Sequence, residues 1–147
     1  MIRRTGATMM GQINMLTVFL GAAAFFVVGM VWYGVLFGKV WKRAIGRDED
    51  EDFSGDRPIW LVFGLTFAFA LLISMTLAHQ FAMSSPSVRA MMMISIGYGL
   101  MLMVPAVGIR YLYLNAPWRV FAIDAGFFVV AMAAMGGTFV LMGALAI

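Results

Sequence analysis

Apolar residues fall in four long blocks, and the polar residues are confined to the gaps between them. Met15 to Gly38 runs 24 residues without a charge, and Ile59 to Met83 runs 25 with His79 as its only ionisable side chain. Ala90 to Ile109 gives 20 residues between Arg89 and Arg110, and Ala125 to Ile147 gives 23 directly after Asp124. A hydrocarbon layer about 30 Å thick is crossed by about 20 apolar residues rising 1.5 Å each. Backbone groups in lipid must pair within the segment, so a span is a helix or part of a closed barrel. None of the blocks shows the alternation of a barrel strand. None carries the polar outer face that a soluble bundle would need. The pattern predicts an all-α membrane protein, an antiparallel bundle of four transmembrane helices forming one domain over 1–147. The helices are expected at about 15–38, 59–83, 90–112 and 120–146, with an acidic loop over 39–58.

Composition sharpens this. The chain is 63% hydrophobic and 12% charged, against about 25% charged in soluble domains. Eleven of its seventeen charged residues lie between Lys39 and Arg57, so the net charge of +3 reads as a solvated loop and not as a nucleic-acid footprint. The absence of cysteine excludes thiolate catalysis, disulfides and cysteine-ligated metals, and the single His79 excludes a His-pair motif. No cofactor is expected.

Four spans place both ends of the chain on one side. Arg3, Arg4 and Arg89 lie there, while Lys39, Lys42, Arg43, Arg47, Arg57, Arg110 and Arg119 lie on the other. Lysine and arginine bias sets orientation and acids count little. The expectation is a multi-pass protein of the bacterial cytoplasmic membrane, with its 1–2 and 3–4 connections inside and both termini outside. The opening MIRR reads as a short leader to an uncleaved first span, because the apolar run exceeds a signal-peptide core.

Aromatic placement agrees with that orientation. Trp32, Trp41, Trp60 and Trp118, with Tyr33, Tyr111 and Tyr113, fall at the inner ends of the spans. Such rings favour the headgroup level, so Trp32, Tyr33, Trp41, Trp60 and Trp118 are read as an interface belt. In the stretch WYGVLFGKVW, Gly34 and Gly38 leave a small-residue patch for a neighbouring helix, and Lys39 extends toward lipid phosphates.

That stretch also carries a family resemblance. NMLTVFLGAAAFFVVGMVWYGVLFGKVW, the acidic 1–2 loop and FAIDAGFFVVAMAAMGG resemble the bacterial four-helix membrane family known as domain of unknown function 1761. Trp32, Tyr33, Gly34, Leu36, Phe37, Gly38, Lys39 and Trp41 match its run at the end of helix 1, with Val35 where proline is common. Asp124, Ala125 and Gly126 match the opening of its helix 4, with Phe127 and Phe128 where Tyr-His is frequent. The resemblance implies a fold and a membrane, and no assigned activity.

Few residues could carry chemistry. Asp124 is the only acid in or beside a span. The 3–4 turn centres near Pro117, which brings Asp124 level with Arg110 and predicts an ion pair closing the hairpin. The alternatives for Asp124 are a proton- or cation-coupled site and contact with a lipid headgroup. Gly126, Ala133, Gly137 and Ala144 fall within about 40° of one another on helix 4, a small-residue stripe expected to pack in the bundle or against a second copy. His79 with Met83, Met91, Met92 and Met93 are soft ligands of the kind that hold copper(I), but they lack a spaced set, so His79 is read as capped or water-exposed and no metal is expected. RDEDEDFSGDRP lacks the glycine and glutamate of an EF-hand. Pro105 predicts a kink in helix 3, and the nearby GYG lacks a filter sequence.

The functional expectation is a non-enzymatic accessory or scaffold subunit, since nucleophile, base and metal sets are all missing. A small oligomeric transporter or channel using Asp124 is the alternative. The expected partner is the lipid bilayer, with a homo-oligomer or a larger membrane complex left open, and no nucleic acid.

Overall fold

A computed structural model describes residues 13–145, which form an all-helical molecule. The Arg3–Arg4 leader and the last two residues of the fourth block lie outside the described residues. Helix α1 (Met15–Val31) starts where Asn14 Oδ1 accepts from the amides of Leu16 and Thr17, at 3.0 and 3.4 Å. This is a standard N-cap that satisfies two amides lacking helical partners. The helix continues into a π turn, Trp32–Leu36, closed by Phe37 N–H donating to Trp32 O.

A short helix, α2 (Gly38–Ala44), follows after Phe37. Its first residue has to be glycine. A Cβ at Gly38 would lie 1.9 Å from Tyr33 O and 2.8 Å from the Phe53 ring. Segment 39–58, expected as loop throughout, is therefore helical at its start. Gly46 ends α2 in the left-handed region, with Arg47 N–H returning to Lys42 O, a Schellman closure.

Helix α3 (Ile59–Ser84) follows Pro58 and stops at left-handed Ser85, just before Pro86. Ser87 caps α4 (Val88–Tyr98), which passes through a second π turn, Gly99–Met103, into α5 (Val104–Tyr113). Pro105 has no amide to donate and its ring crowds the carbonyl four residues back. The chain meets this by widening one turn, with Val104 N–H donating to Gly99 O. The disturbance expected at Pro105 thus takes the form of a π turn inside one 26-residue span. Left-handed Asn115 closes α5, and α6 (Trp118–Leu145) follows Pro117.

Four helical stretches, Met15–Leu36, Ile59–Ser84, Val88–Tyr113 and Trp118–Ala144, are long and apolar enough to cross a membrane. Helix α1 packs between α3 and α6, and α6 in turn packs along α4, the second π turn and α5. Numbering the spans by sequence, their spatial order is 2–1–4–3. The core is made by Val18, Ala22 and Phe25 of α1, Ala70, Leu77, Ala78 and Phe81 of α3, and Phe127, Ala131, Met132, Met135 and Phe139 of α6. The third span contributes only Ser95 and Gly99 to the buried set.

Large apolar side chains cover the outside, among them Leu16, Phe19, Phe69, Leu72, Met101, Leu112 and Leu141. A soluble monomer does not expose a continuous apolar surface of this kind; in hydrocarbon it costs nothing. The molecule is a multi-pass membrane protein.

Between helices, three of the closest approaches fall at positions away from the expected stripe. A Cβ at Gly21 would meet Ser74 Oγ at 2.6 Å, and one at Gly136 would meet Ser95 Oγ at 2.4 Å. One at Gly99 would lie 3.0 Å from Phe128 O and 3.2 Å from Val129 Cα. These contacts are the small-residue seams that lipid-embedded helices need, because apolar burial against lipid tails gives no drive to associate. The expected stripe is split. Gly126 lies under the Trp32 ring, whereas a methyl group at Gly137 would touch nothing within 4 Å. Ala133 is half-buried and Ala144 exposed. Gly34 likewise faces open space, so Gly34 and Gly38 do not form one patch. The physical reason is the π turn Trp32–Leu36, which contains Gly34 and breaks the regular helical register before Gly38.

Candidate functional site

Asp124 lies in the second turn of α6 and is 5% exposed. Two tyrosines from two other spans converge on it. The Tyr33 hydroxyl, in the first π turn, donates to Asp124 Oδ1 at 2.6 Å. The Tyr111 hydroxyl, near the end of α5, donates to Asp124 Oδ2. One position earlier in α6, the carbonyl of Ile123 accepts from Trp32 Nε1 at 3.1 Å. A carboxylate in low dielectric carries a desolvation cost of several kcal/mol, and hydrogen bonds to a charged group return about 1.5–3 kcal/mol each. Two hydroxyl donors therefore offset much of the burial. The surroundings are aromatic: Phe127 and Trp41 lie 5.2 and 5.8 Å from the Tyr33 ring, centroid to centroid.

The expected Arg110–Asp124 ion pair is not formed. Arg110 is exposed, and the one ion pair among the described residues joins Arg43 to Glu49. The hairpin does bring residues 110–111 level with 124, but consecutive helical residues differ by 100° in direction. Tyr111 points at α6, as does Gly108 one turn earlier, beneath Phe121. Arg110 points away. The signal was present in the sequence as the i, i+3 spacing of a glycine and a tyrosine.

The aromatic belt divides in the same way. Trp60 and Trp118 are 72% and 74% exposed, on the outer surface. Trp32, Tyr33 and Trp41 are half-buried and turned inward. Trp32 and Tyr33 continue the α1 stripe of Val18, Ala22, Phe25 and Gly29, whose last member faces Phe127. Trp41 Nε1 is buried with no partner among the described residues.

Helix α2 gathers the polar loop beneath it. Lys42, 8% exposed, donates to Glu49 O at 3.0 Å and sits 4.3 Å from the Phe53 ring centre. Arg47 donates to Phe53 O at 3.3 Å. Arg43 donates through Nε to Glu49 Oε1. That bond is the main reason the Glu49 carboxyl lies below its ordinary range and the Arg43 guanidinium above its own.

Two clefts open at this end, on either side of Trp118. One, of about 430 Å³, is lined by Val40, Arg43, Ala44, Pro117, Trp118 and Arg119. The other, of about 460 Å³, includes Gly108, Tyr111, Asn115, Trp118 and Phe121. At the far end, His79, Met83 and Met93 are exposed. Met91 packs against the core, and Met92 Sδ lies 3.6 Å from a Cβ placed on Gly136. No group of three or more His, Cys, Asp or Glu residues comes together as a metal site among the described residues.

Residues 16–140 match the family model described as "Protein of unknown function (DUF1761)". No curated protein and no solved structure matches the chain.

Proposed function

We propose a non-catalytic, scaffolding role for this chain, which belongs to the DUF1761 family of membrane proteins of unknown function. The observation that carries it is the occupation of Asp124. Both oxygens of the one acid within the described spans are held by hydroxyls from two other helices. Such a carboxylate fastens three spans to one another. The reading places the chain in the bacterial cytoplasmic membrane, with the loop end, which holds most of the lysines and arginines, inside and both termini outside, the orientation that their bias favours. As an accessory subunit it would offer its apolar outer faces to a larger complex or to further copies of itself. Extraction in mild detergent followed by mass spectrometry of what co-purifies tests this. A chain that always purifies alone, and that moves a solute when reconstituted, overturns it.

One observation favours the transporter reading as an alternative. The 460 Å³ cleft reaches Tyr111, whose hydroxyl rests on Asp124, so a proton or cation could arrive by that route. Flux into proteoliposomes should then fall when Asp124→Asn is introduced. Unchanged flux removes Asp124 from any such mechanism.

A further inference from the structure

The 430 Å³ cleft between α2 and the start of α6 has a composition of its own. Two of its six lining residues are arginines, Arg43 and Arg119, and none is acidic. Arg119 makes no ion pair among the described residues, and its guanidinium carbon lies 6.0 Å from the centre of the Trp118 ring. Arg43 meets Glu49 through Nε, while its two terminal nitrogens make no hydrogen bond among the described residues. Val40 and Ala44 supply an apolar wall. The cleft also sits at a defined depth. The first span ends at Leu36, just before α2, and the fourth begins at Trp118 itself. The arginines therefore stand at the edge of the hydrocarbon layer, with the exposed Trp118 lining the cleft beside them.

We infer that this cleft binds the phosphate of an anionic phospholipid. Arginine forks suit the paired oxygens of a phosphate. A basic pocket between helices at the membrane edge draws anionic headgroups out of the leaflet. The acyl chains of the same lipid would run down the apolar surface beside Trp118, which a free phosphate cannot do. The inference rests on the membrane seat of the helices and holds for a scaffold and for a transporter alike.

Native mass spectrometry of the full-length protein in a non-ionic detergent tests it, with phosphatidylglycerol and phosphatidylcholine of identical chains added in turn. The intact protein should retain phosphatidylglycerol over phosphatidylcholine by about tenfold. R43Q/R119Q should abolish that preference. Arg57→Gln and Arg110→Gln, basic residues of the same end outside the cleft, should preserve it. Ala44→Phe fills the cleft with its charges intact and should release the lipid as well. Should R43Q/R119Q lose helicity, Ala44→Phe and the single Arg119→Gln decide the matter. Equal loss in the Arg57 and Arg110 variants would reduce the effect to general surface charge and overturn the inference, as would an Ala44→Phe protein that binds normally. Displacement of the lipid by millimolar inorganic phosphate would also overturn it, by showing a free-anion site.

Discussion

The two ends of the bundle hold their helices together by different means. At the loop end, three spans meet on a few directional polar bonds: Tyr33 and Tyr111 on Asp124, and Trp32 on Ile123 O. Toward the far end, the helices meet through small residues. Gly21 admits Ser74, Gly136 admits Ser95, and Ser74 Oγ donates across to Val18 O at 2.8 Å. The Phe81 and Phe139 rings close this region edge to face at 5.4 Å. Lipid tails are as apolar as leucine, so neither end gains from burying hydrocarbon as such. What associates the helices is polar pairing at one end and dense van der Waals contact at the other. The first is concentrated in a few atoms and should be brittle, whereas the second is distributed and should yield gradually.

The largest effect should come from removing both donors at once. Y33F/Y111F leaves a buried carboxylate with no partner and should cost about 4 kcal/mol in detergent-based unfolding. A loss below about 1 kcal/mol would mean that Asp124 finds other partners and that the loop end is not brittle. Next comes the packed end. Gly136→Leu drives a side chain into Ser95, and we expect a loss of about 2 kcal/mol by the same assay. The same change at Gly137, which faces open space, should cost little. Equal losses at 136 and 137 would refute the seam.

Smaller still is Ser74→Ala, which deletes one hydrogen bond across helices and should cost about 0.6 kcal/mol. Values above those of the tyrosine variants would invert the comparison. The least effect is that of pH on the polar loop. Arg43 depresses the Glu49 carboxyl, so the link is complete above the ordinary carboxylate range and is lost as pH falls through the lowered value. Carbon-13 NMR of the Glu49 carboxyl should show a midpoint below that of a free glutamate. Arg43→Gln should return it to normal, while the spans keep their helicity throughout.

Span count and helical class were legible because they depend on length and hydropathy alone, and lipid makes those two quantities sufficient. Asp124 was legible as a special residue for the same reason, since an acid beside a span has no cheap neighbour. Its partners were not. Choosing between Arg110 and Tyr111 requires the rotation of α5 about its axis, and opposite charge at the same depth is a plausible but wrong guide to rotation. Two π turns compound the difficulty. Each inserts a residue into a helix whose faces are being reckoned at 3.6 per turn, so Gly34 and Gly38 separate although their spacing places them together. Of the stripe Gly126, Ala133, Gly137 and Ala144, only Gly126 meets another helix closely within one chain, under Trp32. A row of small residues marks where a neighbour can approach, and within this chain the other tight approaches occur off that row, at Gly21, Gly99 and Gly136.

The 2–1–4–3 arrangement has a bearing on how the protein is made. Met15–Leu36 is made well before its main neighbour, Trp118–Ala144, and the bond from Tyr33 to Asp124 joins residues 91 apart in the chain. Until that final segment enters the bilayer, the inward aromatic cluster of the first span has lipid where its acid should be. Closure of the polar centre therefore waits for Trp118–Leu145, and a chain cut short before that segment would leave Met15–Leu36 without its mate.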